Sequence, residues 1–188
     1  MKCKTAYCLN TGYAGCSVLT IIRKMREIAA FQKPGSFADM DMLEIGNANM
    51  TFFEERTHMA FWAALKSPLI IGANLNTLSN DSLSVLLNKD IIAVSQDPLG
   101  KAVLYVPELS IEHQKQVWAG PLSGNRTVVL VLNEGANATT LNIPLGQVPG
   151  LDGSKKYATQ ELWTGTKLNV KSNLEVSLES HETKVFVL

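Results

Sequence analysis

The sequence predicts an α/β segment built on a parallel sheet, followed by a small antiparallel β-sandwich. Three observations carry this. Between residues 17 and 96 helical and strand-like stretches alternate, the order of βα units in a parallel sheet. After Gly100 the helical periodicity stops, and short alternating strands separated by turns take over. All three cysteines, Cys3, Cys8 and Cys16, fall in the first sixteen residues, so no disulfide framework organises the body. The chain accordingly divides into an N-terminal segment 1–16, an α/β part over 17–100 and a sandwich over 101–188, with the boundary near Asp97–Lys101.

Residues 17–28, SVLTIIRKMREI, place Val18, Ile21, Ile22, Met25 and Ile28 on one stripe with Arg and Lys opposite, which predicts an amphipathic helix. Lys33-Pro34-Gly35 breaks it. SFADMDMLEIG (36–46) reads as a short strand opening into a loop at Gly46 and Asn47. Thr51 with Glu54 three residues on is a capping box, so a second helix starts there and stops ahead of Pro68. Its first-turn residues Glu54, Glu55 and Arg56 read as solvated. Pro68-Leu69-Ile70-Ile71-Gly72 is apolar on both faces, as a fully buried parallel strand would be. A third helix runs from about Ser79, with Leu83, Leu86, Leu87, Ile91 and Val94 on one face, to Asp97-Pro98.

In the second part, Lys115–Trp118 and Thr127–Leu132 flank the turn-rich AGPLSGN and predict a hairpin. Thr139–Ile143 and Gln160–Trp163 are further strands. Leu174-Val176-Leu178 and Val185-Val187 alternate with polar neighbours across the SHET turn and close the sheet.

Net charge is zero, from 17 basic and 17 acidic residues with no dense basic run. That argues against nucleic-acid or membrane-surface binding, which draws on clustered Lys and Arg. No apolar run approaches the roughly 20 residues that span a bilayer. The cysteine spacing fits no zinc pattern and the histidines, His58, His113 and His181, lie far from it, so no metal is expected. Four Asn-X-Ser/Thr sequons, at Asn49, Asn80, Asn125 and Asn137, argue for a secretory protein. Yet MKCKTAYCLNTGYAGC has no apolar stretch suited to a signal peptide. A secretory body without a leader is what a truncated chain or a misplaced start would show.

The most suggestive chemistry is Ala38-Asp39-Met40-Asp41-Met42-Leu43. On a strand, Asp39 and Asp41 would share a face, roughly 6–7 Å apart. They could accept hydrogen bonds from sugar hydroxyls, or act as the acid and nucleophile of a glycosidase, or simply satisfy backbone N–H groups at the strand's exit. The catalytic reading is the weakest, because a retaining pair must flank the scissile bond from opposite sides, about 5–5.5 Å apart. His58, set among Met59, Phe61 and Trp62, reads as a hydrogen-bonded core histidine. Trp62, Trp118 and Trp163 read as packing residues rather than sugar platforms.

The string Pro34-Gly35-Ser36-Phe37-Ala38-Asp39-Met40-Asp41-Met42-Leu43-Glu44-Ile45-Gly46-Asn47 resembles the P-G-x-[WF]-x-D-x-D-M-L-E-x-G-N signature of glycoside hydrolase family 27, the α-galactosidases. Two further motifs follow in order, Phe61 to Gly72 (FWAALKSPLIIG) and Leu87 to Gly100 (LNKDIIAVSQDPLG). The Ala-Asp-Met-Asp variant looks closest to fungal secreted members. The resemblance implies that 17–100 are closing βα units of a (β/α)8 barrel and 101–188 the C-terminal β domain. It implies removal of terminal α-linked galactose with retention, without a metal or other cofactor, and an extracellular location for the parent family. Carried over, Asp41 matches the substrate-contacting aspartate, Met42 its neighbour in the pocket, and Asp39 a supporting carboxylate. The family's K-Y-D-N-C-type nucleophile motif and R-x-x-x-D-I-type acid/base motif do not occur in these residues. The expectation is therefore an α-galactosidase-like chain that does not turn substrate over alone; the alternative is a non-catalytic carbohydrate-binding or regulatory duplicate. Two strands of a parallel barrel would also leave apolar edges open.

Overall fold

A computed structural model describes residues 17–47 and 50–188. The cysteines and the sequon at Asn49 lie outside the described residues. Four α-helices and eight strands follow one another: α1 (Val18–Ile28), α2 (Phe52–Ala64), α3 (Asn80–Leu86), α4 (Lys89–Ser95), then β1 (Leu104–Tyr105), β2 (Lys115–Leu122), β3 (Arg126–Asn133), β4 (Thr139–Pro144), β5 (Lys156–Glu161), β6 (Lys167–Lys171), β7 (Asn173–Leu178) and β8 (Thr183–Val187).

The start of α1 is set by Ser17, whose hydroxyl accepts from the Thr20 N–H at 3.0 Å. It buries Val18, Leu19, Ile22 and Met25, while Ile28 is exposed. The capping box of α2 is present in full, Thr51 and Glu54 bonding reciprocally. Its first turn is not solvated, however: Glu54 and Glu55 are only 3% and 6% exposed. Glu54 meets the His181 ring at 2.8 Å, and Glu55 accepts from Gly46 N–H and the Ser82 hydroxyl. Each acid is held by partners from distant parts of the chain, which a local charge pattern does not disclose.

The single helix expected beyond Ser79 is two. The first ends at Leu86 with Leu87 as its C-cap, and Asn88 caps the second, its side-chain oxygen accepting from Asp90 and Ile91 N–H. The break turns Leu83 and Leu87 outward while Leu86, Ile91 and Val94 stay buried. Pro68–Gly72 departs further from expectation. It contributes one parallel bridge, Leu43 to Ile71, and its apolar side chains are open, Ile70 at 50% and Ile71 at 43% exposure. Apolar composition marked it as covered on both faces, but among the described residues only Leu69 packs against the core, and the segment 42–47 lies along its other end. The strand expected over 36–46 is likewise reduced to that bridge and a small one between Lys33 and Ser36.

The strands form one curved antiparallel sheet in the order β1-β2-β3-β8-β5-β6-β7-β4. The predicted hairpin is β2–β3, in register from Lys115–Asn133 to Leu122–Arg126. Between β6 and β7 only Lys171 and Asn173 pair, and there the sheet folds over on itself into two layers. β7 and β8, expected to flank a closing turn, are not ladder partners: β7 pairs with β4, and β8 lies between β3 and β5. The SHET turn crosses from one layer to the other. In β8 the polar Thr183 is fully buried, so its alternation does not mark a solvent face.

β3 is covered on both sides. Val128, Leu130 and Leu132 face the helices, joined by Trp118, Leu122, Trp163 and Val185. Val129 and Val131 face the second layer with Val117, Ile143, Val176 and Phe186. Across the first interface Phe61 of α2 meets Trp118 edge-to-face at 5.7 Å; a fully buried aromatic of this kind contributes about 2–3 kcal/mol. Polar groups are satisfied alongside. Arg23 of α1 and Gln116 of β2 both donate to the buried Glu134, and Gln116 in turn accepts from the Trp118 indole at 2.9 Å. Asp97, just beyond α4, accepts from Leu99 N–H at 3.0 Å and from the N–H and hydroxyl of Ser123 at 3.0 and 2.7 Å.

Candidate functional site

The segment 37–43 lies against the C-terminal end of α2 and is fixed bond by bond. Gln32, itself donating to the carbonyl of Leu65, accepts from Ala38 N–H at 2.8 Å. The Ser67 hydroxyl accepts from Met40 N–H at 3.0 Å. Leu43 and Gly72 complete the parallel bridge, Leu43 N–H to the Ile70 carbonyl at 2.8 Å and Gly72 N–H to the Leu43 carbonyl at 2.9 Å. A side chain at Gly72 would stand 3.2 Å from both the Met42 Cβ and the Leu43 carbonyl, so these neighbours would have to give by a few tenths of an ångström to admit one. Asn47 donates to the Gly72 carbonyl at 2.6 Å and ties the two loops together.

Within this segment Met40 and Leu43 are buried, and Asp39, Asp41 and Met42 are exposed. The expected two-residue alternation holds through Asp41 and fails at Met42; the φ of Asp41, 76°, is left-handed. An L-residue there costs roughly 1–2 kcal/mol, least for Asp and Asn. Three hydrogen bonds offset it. Asp39 Oδ1 accepts from Asp41 N–H at 3.0 Å, Asp41 Oδ1 accepts from Met42 N–H at 2.8 Å, and the Trp62 indole N–H donates to the Asp41 carbonyl at 2.7 Å. The two aspartates are thus not side-by-side strand neighbours: each spends an oxygen on the backbone of one turn, the third of the roles open to them. Asp39, Asp41 and Met42 are all at the surface, with Met42 joining the two aspartates there.

Other titratable groups nearby are structural. His58 is buried against Trp62, ring centroids 4.0 Å apart. Among the described residues neither of its nitrogens has a hydrogen-bond partner, contrary to the hydrogen-bonded histidine expected. Burial lowers its pKa to about 3, so the ring is uncharged near neutrality. Burial also pushes the Glu55 carboxyl up, its bonds from Ser82 and Gly46 only partly opposing this. Burial raises Glu54 too, but the bonds from His181 and Thr51 outweigh it and leave the group below its ordinary value. The indole of Trp62, read from sequence as packing, is buried and also holds the candidate site. A tryptophan twenty-one residues downstream gives no local signal of that bond.

Residues 16–97 match the family described as Alpha galactosidase A, and residues 112–188 match the alpha galactosidase C-terminal beta sandwich domain. The chain belongs to the α-galactosidase family. Its architecture is that family's: closing βα units of a (β/α)8 barrel followed by an antiparallel β-sandwich. Alpha-galactosidase 3 of Arabidopsis thaliana is 36% identical over 174 residues, which are 92% of this chain and 40% of that protein. Alpha-galactosidase I from Mortierella vinacea superposes with a TM-score of 0.87 at 30% identity, over 98% of this chain and 47% of that one. An α-galactosidase from Saccharomyces cerevisiae, solved with raffinose, gives a TM-score of 0.83 at 25% identity, over 92% of this chain and 51% of that one. The chain thus spans about 40% of the length of the curated relative described above. No helix of the described residues is long and apolar enough to cross a membrane.

Proposed function

We propose that this chain supplies one wall of the galactoside pocket of an α-galactosidase, with Asp41 and Met42 meeting the sugar and Asp39 holding the turn that presents them. The observation that carries this is the exposed, left-handed Asp41 beside exposed Met42, fixed by bonds from three directions. A carboxylate accepts from sugar hydroxyls, and a thioether packs on the apolar face of a pyranose. The substrate class is α-linked galactosides. The helical part over 17–100 and the sandwich over 101–188 are the two domains of this reading.

The chain alone does not turn substrate over. Asp39 and Asp41 serve a single turn and cannot flank a glycosidic bond, and neither family motif for the nucleophile or the acid/base occurs in the sequence. Without a nucleophile, double displacement has no first step. Assay of the purified chain with p-nitrophenyl α-galactoside should give no turnover, and turnover abolished by Asp41→Asn would overturn this reading. In an NMR titration, galactose should perturb the Asp41 and Met42 amides, and Asp41→Asn should remove the effect. The exposure of sugar-contact residues without a catalytic pair also suits a non-catalytic carbohydrate-binding protein; calorimetric saturation at millimolar sugar would favour that alternative.

A secretory, glycosylated protein fits the exposure of Asn80, Asn125 and Asn137. Expression in a secretory host, with the mass measured before and after endoglycosidase treatment, tests each site.

A further inference from the structure

We propose that Trp62 is a positioning residue for the sugar-binding turn: its indole N–H, donated to the Asp41 carbonyl, holds that residue in the left-handed conformation that turns Asp41 and Met42 outward together. The sugar-contact part of this rests on the role given to Asp41 and Met42 above; the conformational part does not.

The bond is 2.7 Å long and joins the last full turn of α2 to the one strained residue of the segment. Because it is made to a carbonyl, it constrains the peptide plane between Asp41 and Met42, and so the direction of both side chains. The Asp39 carboxylate acts on the preceding peptide through Asp41 N–H, and the Asp41 carboxylate grips the same 41–42 peptide from its other side through Met42 N–H, so the indole and the Asp41 side chain hold one plane between them. The indole is itself immobile. Trp62 is 1% exposed, and the neutral His58 ring packs edge-on against it from one turn earlier in the same helix. Met40, buried directly before Asp41, and Ser67, which accepts the Met40 N–H, fix the approach of the chain from the same helix end. Strain held by surrounding structure at a surface turn is characteristic of binding sites. Packing alone would place Trp62 here but would not require its N–H to meet this carbonyl.

The test is NMR on the whole chain, isotope-labelled, for the unsubstituted protein and for Trp62→Phe, Asp41→Asn, Asp41→Ala and the double variant Trp62→Phe with Asp41→Gly. Folding is read from the indole N–H signals of Trp118 and Trp163, which bond elsewhere. In Trp62→Phe the carbon shifts that mark positive φ at residue 41 should disappear, and galactose affinity read at Met42 should weaken about tenfold, the effect of one lost constraint. Glycine adopts positive φ freely, so the double variant should regain the backbone shifts. Unchanged shifts at residue 41 in Trp62→Phe would overturn the proposal. Should that variant not fold, Asp41→Ala decides: the positive-φ shifts should persist there, because the hold is on the carbonyl, and their loss would overturn the proposal. Galactose binding left intact by Asp41→Asn would sink the sugar-contact reading alone. Binding lost in Asp41→Asn but unchanged in Trp62→Phe would sink the positioning role.

Discussion

Replacing Asp97 with alanine should cost this protein about 3 kcal/mol. The side chain is 3% exposed and receives hydrogen bonds from Leu99 N–H, from Ser123 N–H to both oxygens, from the Ser123 hydroxyl, and from Arg126 at 3.3 Å. Alanine leaves the two backbone donors unpaired, each worth about 1–1.5 kcal/mol, and removes the anchor that ties the end of α4 to the turn between β2 and β3. The Arg126 contact adds little because that guanidinium is half exposed. With a urea m-value of about 2 kcal/mol per molar, the unfolding midpoint should fall by about 1.5 M. Acid titration supplies an independent check. Burial raises the Asp97 carboxyl, but the bonds from Ser123 and Leu99 and the charge of Lys66 outweigh it and hold the group below its ordinary value of 3.8. Its contribution is therefore complete above the unfolded value and is lost as pH falls through the lower folded one. The stability gap between the unsubstituted chain and Asp97→Ala should narrow over that acid range. A midpoint change under about 0.5 M at neutral pH would refute the reasoning.

Three other outcomes are expected. His58→Leu should flatten the acid limb of the stability curve: the folded value near 3 lies below the unfolded 6.5, so the native histidine costs stability as pH falls through that window, at up to about 1.4 kcal/mol per pH unit. Urea midpoints at pH 7 and pH 5 check this. Gly120→Ala should destabilise by about 1–3 kcal/mol, because the new Cβ would stand 2.9 Å from the Val103 Cα and 3.1 Å from the Ala102 carbonyl; thermal unfolding reads it. Thr51→Ala should cost about 1 kcal/mol through the lost cap on α2, measured by the same melt.

Elements held by local chemistry were legible in the sequence. The Ser17 start of α1, the Thr51–Glu54 box and the β2–β3 hairpin each depend on residues a few positions apart. What escaped depends on distant partners. Glu55 is buried because Gly46 and Ser82 reach it, and Glu54 because His181 does. Asn88 splits a continuous apolar stripe with its own side chain, a capping signal outweighed by the periodicity around it. At the candidate site, alternation was right that Asp39 and Asp41 are exposed about a buried Met40, but it would have put Met42 inside. The left-handed Asp41 precedes the exposed Met42, and nothing in a period-two pattern registers the φ of one aspartate. Trp62 was legible as a buried aromatic and not as a hydrogen-bond donor, since burial follows from composition and bonding from tertiary placement.

The position of β8 between β3 and β5 has a consequence for how the molecule is made. β3 leaves the ribosome long before Val185 and Phe186, its neighbours in the sheet, have been synthesised. Until they arrive, one edge of β3 is open, and its side chains lack cover from that flank on either layer. Early translation therefore produces a sticky hairpin awaiting its third strand, with loop closure over a long separation to be completed first. Synthesis rate and chaperone supply during this interval should govern the yield of soluble protein more strongly than the stability of the finished fold.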